Sequence, residues 1–518
     1  MTMRNTIRTG TLAPAVLLAV LPAVLLAGTS ARGQAGARPG PSDADTVAWW
    51  KLTAALSNDA LEGRDTGSAA YERAAAIVGA RLENAGLHPL GEHGWLQPVA
   101  MEELAVTQAT ARVGGRNLRF LADFTVAAHR GLPGRLSAPL VYRGYCGAAA
   151  LGEVAGRIVV CHATHKPGLP TAAEREAAVR KAGALGQIEI ADPGFTVEPP
   201  RWPFAYARSV SLAGQAPAAD SFVKLTLRAE ALPTLFAQGR ALVADGAAGR
   251  PLPSPLPSRD GPTLTLTFAT QERKLSSSNV IGVLPGTDPA LADQAIVLTA
   301  HLDGYGHGFP VRGDGLYNGT LDDAAYVALI VRMLERRAGK GFARPVIALI
   351  VTGEEKGLLG SKYWVAHPTW PLARVAADIN LDQLRPIFPL RRLTVHARND
   401  TTLGDDATAV ARAMGIAVQD DPEPERGLLT RSDHWNFLKA GIPATNFVFG
   451  YDKGSASEAI YRQWYRTGYH RPQDDLAQPI DRQAAADFNQ FFYALVDRVA
   501  NQAQAPAWKA NSPLRPQR

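Results

Sequence analysis

Three continuous apolar runs punctuate the second half of the chain: Ala295–Thr299, Val346–Val351 and Ala377–Leu381. Runs this short, with no polar alternation, are expected of strands covered on both faces. Between the first two, Asp322–Arg337 reads as a helix, and Asp481–Ala500 reads as a closing one. Apolar strands alternating with helices predict an α/β fold, a three-layer, mostly parallel sheet with helices on both faces.

The first half is patterned differently. Asp45 to Gly86 divides into two helical pieces; the second places Ala75, Ile77, Val78 and Leu82 at helical spacing, with Gly86 as a stop. Residues 96–128 alternate as strands do. From Gly134 to Arg250, the runs Ala138–Tyr142, Gly156–Cys161 and Phe222–Arg228 surround one helix-like stretch, Ala172–Ala184, which predicts a separate small β-rich domain. Pro251, Pro253, Pro255, Pro257 and Pro262 are expected to interrupt regular structure. The expected organisation is a leader (1–35), N-terminal helices and strands packed on the larger domain (36–133), the β-rich insert (134–250), a Pro-rich link (251–262), the α/β domain (263–502) and a flexible tail (503–518).

Composition narrows the class. At 518 residues the chain exceeds what one hydrophobic core usually organises, and 46% apolar with 20% charged residues is the balance of an ordinary soluble protein. The net charge of +6 is small for this length, and no dense Lys/Arg run with interleaved aromatics occurs, which argues against nucleic acid as a partner. Arg4 and Arg8 precede the apolar run Leu12–Leu26, followed by small residues around Ala31 and Ala35. That order describes a secretory signal peptide, hence a periplasmic or secreted protein; a membrane span needs about 20 apolar residues, and this run is shorter and interrupted. No later segment is expected to cross a membrane. Cys146 and Cys161 are the only two cysteines, and one disulfide or two buried thiols fit the sequence equally.

The candidate chemistry lies where the predicted strands of the second half run out. Ala295–Thr299 leads into His301-Leu302-Asp303, Val346–Val351 into Thr352-Gly353-Glu354-Glu355, and Ala377–Leu381 into Asp382. Asp322 is expected to open a helix, and His470 sits in a late loop. Open α/β sheets place their sites at such strand ends. Two histidines and three carboxylates from five segments suit a pair of divalent ions with nitrogen and oxygen ligands. Each residue alone has a plainer explanation: a hydrogen-bonded histidine, a helix cap, a solvated Glu-Glu pair. Asp382 resists it, because a carboxylate closing an apolar run needs a partner.

Other chemistries lack their signatures. There is no Gly-x-Ser-x-Gly elbow and no His-Glu-x-x-His helix. Ser432-Asp433-His434 holds triad letters, but adjacent residues do not face one another as a triad requires. The glycines from Gly304 to Gly315 lack the Lys-Ser/Thr of a phosphate loop and read as a mobile loop. Arg385, Arg391, Arg392 and Arg431 are read mainly as solvated charges, with recognition of a substrate carboxylate as the alternative.

Taken together, His301-Leu302-Asp303, Tyr317-Asn318-Gly319 with Asp322, Thr352 through Ser361, Asn380-Leu381-Asp382, Arg431-Ser432-Asp433-His434, Ala440-Gly441-Ile442-Pro443 and Tyr469-His470 resemble, in order and spacing, the zinc exopeptidases related to aminopeptidase Y and glutamate carboxypeptidase. The resemblance runs from about Asp45 to Ala500. Gly156–Val160 and Ala182–Gly186 are similar to the protease-associated insert of bacterial members. The resemblance implies two zinc ions, or other divalent metals, with Asp322 bridging them. His301 and Asp382 would complete one site, Glu355 and His470 the other. Glu354 would be the general base, and Asp303 would hold the His301 ring. It implies a metal-activated water attacking peptide substrates, most simply at their N-termini. A carboxypeptidase, a dipeptidase, a glutaminyl cyclase or a non-catalytic binding relative are the alternatives. One departure stands out: Ala325-Tyr326 replace the family's usual Ser-Gly, placing Tyr326 beside the expected metals or substrate pocket.

Overall fold

The computed structural model describes residues 43–516, apart from 165, 167, 192–203, 249–259 and 383. The expected leader and the prolines from Pro251 to Pro257 therefore lie outside the described residues.

Two helices begin it. Helix α1 (Ala44–Ser57) starts where the Asp43 side chain accepts from the Asp45 amide, and α2 (Ala69–Asn84) starts at the Ser68 hydroxyl, which accepts from Tyr71. Both are N-caps of the usual polar kind. On α2, Tyr71, Ala74, Ala75, Val78 and Leu82 form the buried stripe.

The strands used below are β1 (Leu96–Val113), β2 (Arg135–Tyr142), β3 (Ile158–His162), β4 (Gly186–Ala191), β5 (Arg208–Leu212), β6 (Val223–Arg228), β7 (Asp260–Leu284), β8 (Ala295–His301), β9 (Val346–Val351), β10 (Val375–Asn380) and β11 (Ala444–Thr445). One sheet carries all of them, in the order β11-β10-β8-β9-β7-β2-β3-β4-β6, with β1 paired along β7 and β5 on the other side of β1. The strands β11, β10, β8 and β9 run parallel, as do β2, β3, β4 and β6; β7 is antiparallel to its neighbours in both groups.

This places the expected α/β architecture, with one refinement. The β-rich region has its own core, formed by Leu140, Val160, Ile188, Leu225 and their neighbours. That core also takes Leu104, Val113, Leu264 and Phe268, so the two cores meet inside β1 and β7 and not at residues 134 and 263. Two long antiparallel strands pass from one core to the other, with a register shift at Ala269/Thr270.

Four local expectations are corrected. Pro262 lies within β7 and does not end it. It falls at an irregularity in the β2 pairing between Asp260 and Thr263, where a missing amide costs no ladder bond. The Gly-rich stretch after Asp303 is a two-stranded hairpin, Gly306–Val311 with Asp314–Tyr317, and not an open loop. The helix expected from Asp322 begins at Ala325 (α3, Ala325–Glu335); Thr320–Ala324 form a wide turn before it, in which Asp322 and Asp323 are non-helical. Residues 503–516 dock on the body: the Trp508 indole donates to the Gly441 carbonyl (2.7 Å) and the Ser512 hydroxyl to Asp400 (2.7 Å). Cys146 and Cys161 form a disulfide. Among the described residues, no helix is long and apolar enough to cross a membrane.

Candidate metal centre

Because β8, β9 and β10 are parallel, their C-terminal ends share one edge of the sheet. His301 closes β8 opposite Val351 of β9, and Thr299 pairs with Asn380 of β10. The segments His301–Asp303, Glu354-Glu355 and Asp382 therefore converge by topology alone.

His301 is fully buried. Its Nδ1 lies 3.0 Å from the Asp303 carbonyl oxygen, which can only accept, so the proton resides on Nδ1 and the Nε2 lone pair points inward. Nε2 has no hydrogen-bond partner; it lies 3.3 Å from Asp322 Oδ1 and 3.9 Å from Glu354 Oε2. On the other side, His470 Nε2 is 3.4 Å from Asp322 Oδ2 and 3.4 Å from Glu355 Oε2, while its Nδ1 meets the Tyr305 hydroxyl at 3.0 Å. The two oxygens of Asp322 thus face different imidazoles, the geometry expected of a bridging carboxylate. Asp382, almost fully buried, accepts from Ser432 Oγ at 2.6 Å.

The ligating atoms of His301, Glu354 and Asp382 lie within 4.8 Å of one another, as do those of Asp322, Glu355 and His470. Buried nitrogen and oxygen atoms in groups of three, with His301 Nε2 lacking any hydrogen-bond partner, fit divalent cations such as zinc. All six expected residues fall in these two groups, but the first is completed by Glu354 and not by Asp322; Glu354 also lines an open cavity.

Asp303 differs from expectation in detail. Its main-chain carbonyl, not its carboxylate, holds the His301 ring; Oδ1 is 3.9 Å from Nδ1. The carboxylate accepts instead from the Glu354 amide (3.1 Å) and the Thr66 hydroxyl (2.9 Å), fixing the backbone that carries Glu354.

Several supporting residues were not expected. Arg385, read as a solvated charge, is fully buried, with Nη2 3.1 Å from Asp322 Oδ2 and Nη1 donating to the Leu321 and Leu384 carbonyls. Of the other three arginines, Arg391 is exposed, Arg392 pairs with Asp452, and only Arg431 reaches the site. Asp474 accepts from the Leu321 and Asp322 amides (2.9 and 3.0 Å) and so clamps the wide turn before α3. Arg64, also fully buried, donates to the carbonyls of Leu302, Asn318 and Gly319, tying the N-terminal helices to the site loops. Tyr326, fully buried, packs edge-on against Phe488 within electrostatic reach of Arg385, Asp323, Asp474 and Asp382.

The electrostatics follow from this crowding. Burial works against the charged form of Asp322, but Arg385 and the two imidazoles outweigh it and hold the group well below the ordinary carboxylate range. Burial pushes Glu354 well above its ordinary value, with Asp382, Glu355 and Asp433 adding to it. Glu355 is pushed up to about 8, first by burial and then by Asp322. Burial alone would lower His301, yet the carboxylates of Glu354 and Asp323 raise it well above normal. A trough in which Glu354 and Glu355 resist ionisation and the imidazole attracts protons is one that a cation stabilises. The trough opens on a cavity of about 370 Å³ lined by Asp322, Glu354, Glu355, Leu358, Arg431 and Tyr469.

Residues 279–496 match the model of Peptidase family M28. The matched segment contains every residue of the two trios. Among solved structures, the chain is similar to an aminopeptidase from Aneurinibacillus sp. strain AM-1 (TM-score 0.61, 19% identity, covering 89% of this chain and 95% of that one). It is similar also to a zinc aminopeptidase from Bacillus subtilis (TM-score 0.58, 18% identity, 89% and 95%) and to a Peptidase M28 precursor from Shewanella amazonensis (TM-score 0.54, 17% identity, 91% and 99%). At these identities the likeness establishes the fold, across the β-rich region as well as the matched segment. No curated protein matches the sequence significantly.

Proposed function

We propose that this protein is a metal-dependent aminopeptidase. The carrying observation is the Asp322 carboxylate set between His301 and His470, with Glu354 beside it on the wall of an open cavity. His301, Asp382 and Asp322 would hold one divalent ion, and Asp322, Glu355 and His470 a second, zinc being the metal this donor set favours. When bound, such ions supply Lewis acidity toward a peptide carbonyl and toward water.

The remaining steps belong to the chain. Glu354, fixed through its amide by Asp303, takes a proton from the attacking water and returns it to the amine that leaves. Arg385 keeps Asp322 ionised and oriented from behind. Arg431 and Tyr469 line the cavity in which substrate would sit. We further propose export to an oxidising compartment, which the Cys146–Cys161 disulfide and the leader-like N-terminus favour, and a protease-associated character for the β-rich region.

The test is a substrate panel after chelation and zinc add-back. Zinc-restored turnover of free-amine aminoacyl anilides is the expected result. Preference for N-acylated peptides would point to a carboxypeptidase, and cyclisation of an N-terminal glutamine to a glutaminyl cyclase. Failure to bind metal would leave a binding protein on an enzyme fold.

A further inference from the structure

A second cavity, of about 350 Å³, lies between the β-rich region and the matched segment. Gly357 lines both this cavity and the one over the metal trough, so the two adjoin at that residue. Gly357 is two residues from Glu355, and with Cα atoms about 3.8 Å apart the groove opens within two or three extended residues of the site.

One wall is β5. Four consecutive residues, Ser209 to Leu212, line the groove, although alternate side chains on a strand point to opposite faces. A strand that presents successive residues is being met edge-on. The pairing with β1 fixes which groups that edge offers. The Ala213 amide donates to Ala100 and the Val106 amide to Ala207, so residues 207, 209, 211 and 213 turn their main chains to β1. Val210 turns its N–H and C=O outward. Among the described residues, no strand pairs with that outer edge and no hydrogen bond engages the Val210 main chain. Leu104, Leu212, Pro217 and Leu359 add apolar lining. Most lining charges are already paired: Arg130 with Glu102 (2.9 Å) and Glu272 (3.3 Å), Glu103 with Arg273 (2.6 Å) and Arg208 (3.2 Å), and Lys356 with Asp65 (3.2 Å).

We propose that this groove binds the downstream part of the substrate, the third to fifth residues of a peptide cut at its N-terminus, as an added strand on Val210. The inference rests on the aminopeptidase reading and deepens it, naming extended peptides as the substrate class. Adjacency to the catalytic cavity selects this occupant, and an unpaired strand edge over apolar lining recognises main chain and alternate side chains without a charge requirement.

The experiment uses the zinc-loaded full chain. Aminoacyl anilides and peptides of two to six residues with one common N-terminal residue are compared by kcat/KM. The expected result is a rise of about tenfold between two and five residues, the scale of one added main-chain hydrogen-bond pair. N-methylation of alternate downstream amides should erase the gain at one set of positions and spare the other. Val210→Pro, which removes the outward amide, should reduce the pentapeptide to the dipeptide level and leave anilide turnover unchanged; Val210→Ala controls for the lost packing against Met101 and Leu359. Anilide turnover with kcat/KM flat against length would overturn the groove alone. A length gain indifferent to both N-methylation and Val210→Pro would overturn the strand pairing. Hydrolysis of neither anilide nor peptide would sink the aminopeptidase reading and the groove together.

Discussion

The two cores of this molecule are stabilised by different physics. Around β8, β9 and β10, the site gathers Asp322, Asp323, Glu354, Asp382, Asp433, His301 and Arg385 in nearly complete burial. The core around β2, β3, β4 and β6 is built of Leu140, Val160, Ile188 and Leu225, with the Cys146–Cys161 disulfide on its flank. Buried like charges cost free energy unless a counter-charge is present, whereas apolar burial and a covalent link ask for none. The half that holds the trios is therefore the one a cation would stabilise; the β-rich half has no comparable cluster among the described residues. Every outcome below tests that contrast.

The largest effect is expected at Glu354. Replacing Glu354 with Gln keeps the shape and the Asp303 anchor but removes the proton acceptor. Turnover should fall by roughly 10²–10⁴-fold, the usual contribution of general acid–base catalysis. Zinc content should stay at the wild-type level, because His301, Asp382, Asp322, Glu355 and His470 are untouched. Loss of zinc along with activity would make Glu354 a ligand, as its proximity to His301 and Asp382 permits, and would break the assignment of roles.

Metal and pH come next. Glu355, at about 8 when folded against an ordinary 4.5, holds its proton more tightly in the folded chain. In metal-free protein its contribution is full below about pH 4.5 and is lost as the pH rises toward 8, a few kcal/mol over that window. Melting followed by calorimetry should show the metal-free half that holds the trios weakening from pH 5 to 8. With zinc present the trend should reverse, since cations bind the deprotonated ligands and stabilise by mass action. A melting temperature that ignores zinc at pH 8 would contradict the contrast between the cores.

Much of this was legible before any coordinates. Strand-end residues were readable because a continuous apolar run announces both its burial and its exit, so His301, Glu354, Glu355 and Asp382 could be placed at one edge. Asp322 was found, but its setting was not: a wide turn clamped by Asp474 leaves no periodic signal, since the clamp comes from about 150 residues away. Arg385 was misread for the same reason. Its usual exposure is overridden by a carboxylate 63 residues earlier, and pairing at that separation is invisible to local pattern. The boundary between the cores was blurred because β1 and β7 continue through both, and an alternating strand looks alike on either side of the junction.

The disulfide offers the converse test. It closes a 15-residue separation, for which loop-entropy arguments give about 3 kcal/mol. Cys146→Ser with Cys161→Ser should lower the unfolding free energy of the β-rich half by about that amount. Zinc stoichiometry and turnover of a small anilide should be unchanged. A fall in zinc binding on breaking this link would show that the cores are not energetically separate.

The smallest effect expected lies inside the site, where its two histidines are held unequally. His301 Nδ1 donates to a main-chain carbonyl, which no substitution removes, whereas His470 Nδ1 meets the side-chain hydroxyl of Tyr305 at 3.0 Å, which a substitution can remove. Tyr305→Phe keeps the ring that packs 4.8 Å from His470 and deletes the group that fixes its tautomer. Loss of such an orienting partner typically costs about 10- to 100-fold in metal affinity, and here it should fall on one ion only. Zinc titration of the metal-free variant should resolve one event at the wild-type affinity, belonging to His301 and Asp382, and one weakened event belonging to Glu355 and His470. Equal weakening of both would mean that Asp322 transmits the loss across the bridge, and the trough would then have to be treated as a single four-walled cation site instead of two neighbouring ones.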